Sequence, residues 1–259
     1  DARIRLGLLS AVAYLLGRFK FNVLIRSVMR ISHLFILLAA SAMLTACDFL
    51  DEYNPNSVTV GNYYTSEEDI VASLNGVYTS LTQSYVADNY HYFTDVRANA
   101  TVVTNSGANS GIPYQFYNYT LTEENVYVYN RYSQLYKIIS RANTLFAHLG
   151  DVSYATPSAR DTYEAEARFL RALSYYWLVT EWGDVPLVLK VLESTEEVRA
   201  NNYRRPKAEI YQAIFDDLKY VTESPLLDVQ PASACGKVSK AAAWALWGKA
   251  LLQDRKSVV

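Results

Sequence analysis

The chain has 259 residues, of which 24 are Lys or Arg and 26 are Asp or Glu, for a formal net charge of −2. That balance excludes the broad basic surface that a nucleic-acid binder needs, so no nucleic-acid partner is expected. Two cysteines and three scattered histidines give no metal-binding cluster, and neither a metal nor another cofactor is expected.

Residues 1–28 precede the first credible start, Met29, and their apolar positions are interrupted by Arg3, Arg5, Arg18, Lys20 and Arg26. They read as upstream sequence outside the fold; the alternative is a genuine amphipathic or membrane segment. Residues 29–46 read as a lipoprotein signal peptide. Arg30 follows the start, and an apolar run from Leu34 to Leu44 leads into Leu44-Thr45-Ala46-Cys47. The run matches a signal-peptide core and is too short to span a bilayer. Small Thr45 and Ala46 admit a signal peptidase, and Cys47 becomes the lipid-attachment residue. Each methylene buried by its acyl chains adds roughly 0.8 kcal/mol of anchoring.

Residues 47–61 form a polar tether containing Pro55, and a helical domain is expected over 62–253. Thr65 and Glu68 have capping-box spacing, and Ile70, Leu74, Val77, Tyr78 and Leu81 recur at helical spacing after them. The pattern breaks over residues 85–130, where 105–111 (NSGANSG) is a loop by composition. Helical spacing returns with Tyr132, Leu135, Tyr136, Ile139 and Phe146, with Gly150 as the expected C-terminal cap. Thr156-Pro157 has the chemistry of a helix start, and Ala165, Phe169, Ala172, Leu173, Tyr176 and Val179 form one apolar face ending at Gly183.

Residues 185–189 (VPLVL) form a short extended strip. Pro206 opens a helix bearing Ile210, Ala213, Ile214, Leu218 and Val221. Alanine-rich residues 237–252 suit close helix packing, while Cys235, without a disulfide partner, is expected to pack as a small hydrophobe. Strand signals are few. The expected fold class is mostly α, a right-handed stack of antiparallel helix pairs with long loops and few short strands; segment lengths alone suggest a tetratricopeptide-like array. Residues 254–259 (DRKSVV) read as a translated sequencing adapter, so the natural chain is expected to continue past Gln253.

Four blocks together resemble the SusD/RagB family of outer-membrane nutrient-binding lipoproteins. They are 47–51 (CDFLD), 136–143 (YKIISRAN), 164–173 (EAEARFLRAL) running on to 183–187 (GDVPL), and 210–218 (IYQAIFDDL) with 236–243 (GKVSKAAA). The third block is the most specific, since helix, Gly-Asp turn and Val-Pro-Leu strip follow in the family's order. The resemblance covers nearly all of residues 47–253 and would be the N-terminal half of a member. It implies a SusD-like helical stack, lipid-anchored through Cys47 on the outer face of the outer membrane. It also implies delivery of oligosaccharides, or in some members peptides, to a SusC-like TonB-dependent transporter. Asp48, Asp51 and Glu52 are similar to the family's surface-export signal.

The candidate ligand residues lie on the irregular aromatic stretch. An aromatic face stacks on the apolar face of a pyranose, while Asn and Asp fix its hydroxyls. Asn89, Tyr90, Tyr92 and Asp95 offer that mixture, as do Tyr114 and Tyr117, within a chain of 22 tyrosines. Trp177 and Trp182 are better read as packing residues. Arg168 and Arg171 are better read as salt-bridging with Glu164 or Asp184. Asp216 and Asp217 are read as solvated or N–H-accepting helix residues, since neighbours on a helix do not face each other. With no phosphate loop, Gly-x-Ser-x-Gly elbow or metal-binding His pair, no enzymatic activity is expected. The alternatives to a glycan receptor are a peptide or other nutrient receptor of the same fold, and a helical-repeat scaffold without a small ligand.

Overall fold

A computed structural model of the chain describes residues 63–103 and 111–257, with side chains to Asp254. The upstream residues, the signal peptide, Cys47, the tether and most of the 105–111 loop lie outside the described residues, as do the last residues of 254–259. Seven α-helices are present among the described residues: α1 (Glu67–Leu81), α2 (Gly111–Tyr117), α3 (Val126–His148), α4 (Ala159–Trp182), α5 (Thr195–Asn201), α6 (Lys207–Glu223) and α7 (Lys240–Ser257). A π-helical turn at Tyr92–Val96 and a 3-10 turn at Ala232–Ala234 complete them. The helices pack as a stack: α1 on α3 and α4, α3 on α4, α4 on α6, and α6 on α7. The mostly helical class expected from the sequence is what the structure shows.

The apolar spacing of each helix accounts for the core. Ile70 and Leu74 of α1, Leu135 and Ile138 of α3, Leu170 and Leu178 of α4, and Ile214 and Leu218 of α6 are all buried in one cluster. Each such side chain contributes roughly 1.5–3 kcal/mol on burial. α7 joins the stack through Ala243, Leu246 and Ala250, whose small size permits close approach. Trp177 and Trp182 pack against this core, as the sequence suggested.

Helix ends differ from the sequence reading in instructive ways. The capping box of α1 is Ser66 with Asp69, one residue after Thr65 and Glu68. Both pairs have the right spacing, but Asp69 collects the N–H groups of both Thr65 (3.0 Å) and Ser66 (2.9 Å), which fixes Ser66 as the extended cap. α3 begins at Val126, well before Tyr132, because Asn125 accepts the N–H groups of Tyr127 and Val128. Gly150 is not a left-handed cap; among the described glycines only Gly183 has a positive φ. α4 starts two residues after Pro157, where the Thr156 carbonyl accepts the Ala159 N–H in place of a side-chain cap. Gly183, at φ +78°, ends α4 in a conformation that disfavours any side chain. α7 starts at Lys240 rather than 237, with Ser239 Oγ accepting the Ala242 N–H.

The 185–189 strip finds no strand partner beyond one antiparallel bridge from Val185 to Arg205. Side chains of α3 and α4 satisfy its backbone instead. Tyr175 Oη both donates to the Val188 carbonyl (2.9 Å) and accepts its N–H (2.7 Å), and Asn143 Nδ2 donates to the same carbonyl (3.0 Å).

Below the strip lies a buried ionic network. Arg171 donates two hydrogen bonds to Asp217, at 2.8 and 2.7 Å, and one each to Asn143 Oδ1 and the Leu189 carbonyl. Arg168 bridges Glu164, as expected, and also Asp217. The reading of Asp217 as a solvated or N–H-accepting residue is therefore corrected: it is 2% exposed and anchors α6 to α4. Its neighbour Asp216, about 100° further round the helix, is exposed and accepts from Gln212. Arg171 does not pair with Glu164 or Asp184; Asp184 accepts the Lys207 N–H instead. Cys235, expected to pack inward, is exposed, because it follows a surface 3-10 turn rather than lying on a helix face.

At the other side of α4, Tyr78 donates to Glu166 at 2.6 Å and accepts the Val238 N–H at 3.0 Å, tying α1, α4 and the approach to α7 together. Burial lifts the Glu166 carboxyl above its ordinary value, opposed by the Tyr78 hydrogen bond and by Lys237.

Two outcomes follow from these networks. Asp217→Ala leaves Arg171 without its carboxylate and is expected to cost about 3–5 kcal/mol of unfolding free energy, read from urea titration; a loss below about 1 kcal/mol would contradict a pairing role. Glu166 has its folded pKa raised, so its ionisation destabilises the fold as pH rises from near the ordinary 4.5 through that raised value. Glu166→Gln is therefore expected to gain stability relative to the unsubstituted chain as pH rises above about 4.5. A stability difference independent of pH would refute the burial argument.

Candidate functional site

The residues between α1 and α3 build a second, smaller core. Phe93, Val96 and Phe116 are its buried centre, with Tyr92, Tyr117, Tyr127 and Trp182 packed against it. Phe93 and Phe116 meet edge to face at 4.9 Å, and Tyr92 lies 5.8 Å from Phe116 and 5.3 Å from Tyr127. The segments on either side of the 105–111 loop therefore share one cluster. Trp182 belongs to both cores and is the ring that joins them.

Backbone geometry here is unusual. Residues 92–96 form a π-helical turn, a feature common at functional sites. Asn99 and Tyr119 have positive φ values of 59° and 60°. For a bulky Tyr this conformation is costly and persists only where surroundings impose it. One constraint is visible: Tyr119 Oη donates to the Arg97 carbonyl at 2.9 Å. Asn125, beyond capping α3, donates from Nδ2 to the Ile112 carbonyl and Gln115 Oε1, pinning α2 to the same end of the stack.

Under this face sits Arg131, which is fully buried. Its Nε and Nη2 each donate to a Glu181 oxygen at 2.6 Å, and its Nη1 donates to the carbonyls of Tyr85 (3.1 Å) and Val86 (3.2 Å). Its guanidinium carbon lies 4.8 Å from the Tyr90 ring centroid, 4.9 Å from Phe93 and 5.5 Å from Trp177. Burial pushes the Glu181 carboxyl upward, while Arg131 and Arg97 pull it back down.

Sequence reasoning missed Arg131 and Glu181. The available signal was a lone arginine interrupting the inward face of α3 at helical spacing with Leu135 and Ile138.

The sequence-derived candidates occupy this face in two ways. Tyr90 is 37% exposed, tilted against Trp177 at 6.0 Å, and its ring covers Arg131. Tyr114 is half-buried and lies 5.6 Å from Tyr117. Tyr92 and Tyr117 are half-buried and lean on the second core. Asn89 uses its amide on the Ser84 carbonyl at 3.1 Å. Asp95 is exposed; its backbone carbonyl accepts the Ala100 N–H at 2.8 Å, while its carboxylate makes no hydrogen bond to another described residue.

Beside the face, a depression of about 310 Å³ is walled by Phe93, Phe116 and Trp182, with Arg97, Glu123 and Glu181 as its charged groups. Glu123 and Trp182 also border a second hollow of about 240 Å³ that reaches Tyr132, Asp184 and Arg204. Aromatic walls with a few charged groups suit a polar ligand that has flat apolar faces. Among the described residues no group of His, Cys, Asp or Glu is placed to hold a metal ion.

Comparison with known proteins bears on this arrangement. A SusD-like family model, described as starch-binding and associating with the outer membrane, matches residues 48–252. The SusD-like protein P2 of Formosa agariphila is 28% identical over 202 residues, 78% of this chain and 39% of that protein. A SusD-like protein of Bacteroides ovatus is 25% identical over 207 residues, 74% of this chain and 35% of that one. This chain thus spans about two fifths of the length of the curated relatives it matches. Among solved structures, a laminarin-binding SusD-like protein superposes with a TM-score of 0.66 at 28% identity, covering 74% of this chain and 41% of that one. Surface glycan-binding protein A of Bacteroides thetaiotaomicron, solved with laminarihexaose, shares the fold with a TM-score of 0.60 at 19% identity over 74% of this chain and 40% of its own.

Proposed function

The chain belongs to the SusD-like family, and from that premise we propose that it is a glycan receptor of the outer membrane. In this reading Cys47 carries the lipid that holds it at the cell surface, and a SusC-like TonB-dependent transporter receives its ligand. Its work is binding rather than chemistry. Glu181, one of two carboxylates lining the larger depression, has both oxygens engaged by Arg131, which suits a structural anion.

The observation that carries the reading is the rigidly backed aromatic face. Tyr90 is exposed and Tyr114 half-buried beside Tyr117, while Tyr92 and Tyr117 pack on the second core. Asn89 and Asp95 supply hydroxyl-binding groups on the same segment. Rings held in place before the ligand arrives avoid the entropic cost of ordering them on binding. The relatives support a glucan as the first ligand to test: one is a laminarin-binding protein, and the family description names starch.

The double variant Tyr90→Ala/Tyr114→Ala is expected to weaken binding to laminarin or starch at least tenfold, or about 1.4 kcal/mol, in affinity electrophoresis, with little change in melting temperature. Unchanged affinity in a folded variant would remove these rings from the site. Cys47→Ser is expected to shift the chain from the membrane to the soluble fraction of cells expressing it; retention in the membrane would refute lipid anchoring at that residue.

A further inference from the structure

We propose that Arg131 is the positioning residue of the ligand-binding face, setting the pose of Tyr90 and of the segment that carries it. The inference rests on the reading above that this face binds glycan.

The argument starts from the cost of the arrangement. A guanidinium with no solvent exposure must have its donors satisfied and its charge paired, and replacing such a pair with apolar residues of similar volume is often neutral or stabilising. Stability alone therefore gives little reason for an arginine at this point of α3; the directions in which it reaches supply a better one. One edge of the fork is bidentate to Glu181 near the end of α4. The remaining nitrogen donates to two consecutive carbonyls, Tyr85 and Val86, at the root of the segment bearing Asn89, Tyr90, Tyr92 and Asp95.

The planar faces complete the arrangement. The rings of Tyr90 and Phe93, three residues apart, both lie within 5 Å of the guanidinium carbon, and Trp177 lies 5.5 Å away. Phe93 is buried in the second core while Tyr90 is 37% exposed. A single cation thus holds the buried ring and the solvent-facing ring of one turn in fixed relation, with cation–π attraction orienting each. Lysine does not reproduce this, since an ammonium lacks both the fork and the plane.

The test uses the whole chain and compares four proteins: the unsubstituted chain, Arg131→Met/Glu181→Leu, Tyr90→Ala and the triple variant. The paired substitution removes both charges together, so no uncompensated ion stays buried. Affinity for laminarin and starch is measured alongside thermal melting. The expected result is a loss of about tenfold in affinity for the paired variant at near-native melting temperature, with no further loss when the same pair is replaced in the Tyr90→Ala background. Native affinity in the paired variant overturns the proposal, and so does an equal loss in both backgrounds, which would mean that Arg131 does not act through Tyr90. Should the paired variant fail to fold, Arg131→Lys, which keeps a cation opposite Glu181, carries the same comparison. Absence of glycan binding by the unsubstituted chain would refute the receptor reading itself, and the proposal with it; binding by that chain with an indifferent Arg131 refutes the proposal alone.

Discussion

A fully buried arginine, Arg131, joins three parts of the chain that the hydrophobic effect alone would leave only loosely registered. Apolar packing is non-directional and fixes how far apart two helices sit better than how a loop leaves them. The guanidinium adds direction: two hydrogen bonds to Glu181 on α4 and two to the backbone of the segment after α1, all from a side chain of α3. About ten residues earlier on α4, or roughly 15 Å along the helix, Arg171 does the same for α6 and the 185–189 strip through Asp217 and the Leu189 carbonyl. The stack is thus held by apolar faces and registered by buried arginines.

This division of labour bears on function. The main core and the smaller aromatic core meet at Trp182, and the candidate ligand face stands on the smaller one. Segments lying outside the repeating helices can vary in sequence without disturbing the stack, provided the contacts at their root are kept. The π-helical turn and the left-handed Asn99 and Tyr119 sit in these segments and not in the helical stack, consistent with local strain stored near a site and supported by the scaffold behind it.

Much of the scaffold was legible in the sequence because helical periodicity is a property of the apolar positions alone. Ile70, Leu74 and Val77, or Ile210, Ile214 and Leu218, announce buried faces with no knowledge of their partners. The differences fall where a particular hydrogen-bond partner or exposure to solvent decides. Thr65-Glu68 and Ser66-Asp69 are equivalent as patterns, and the hydrogen bonds that Asp69 collects distinguish them. Asp217 looks like any polar helix residue until Arg171 and Arg168 arrive from α4. Cys235 looks like a small hydrophobe until its turn is seen to face solvent. The aromatic candidates were legible as a composition anomaly around the 105–111 loop, but their division into solvent-facing rings and packed rings depends on Phe116, Tyr127 and Arg131, each remote from Tyr90 in sequence.

Co-crystallisation of the chain with laminarihexaose tests the receptor reading most directly. Sugar rings lying against Tyr90 and Tyr114, with Asn89 or Asp95 on their hydroxyls, are the expected result. A hexaose seated elsewhere on the molecule, leaving those four residues untouched, would contradict it.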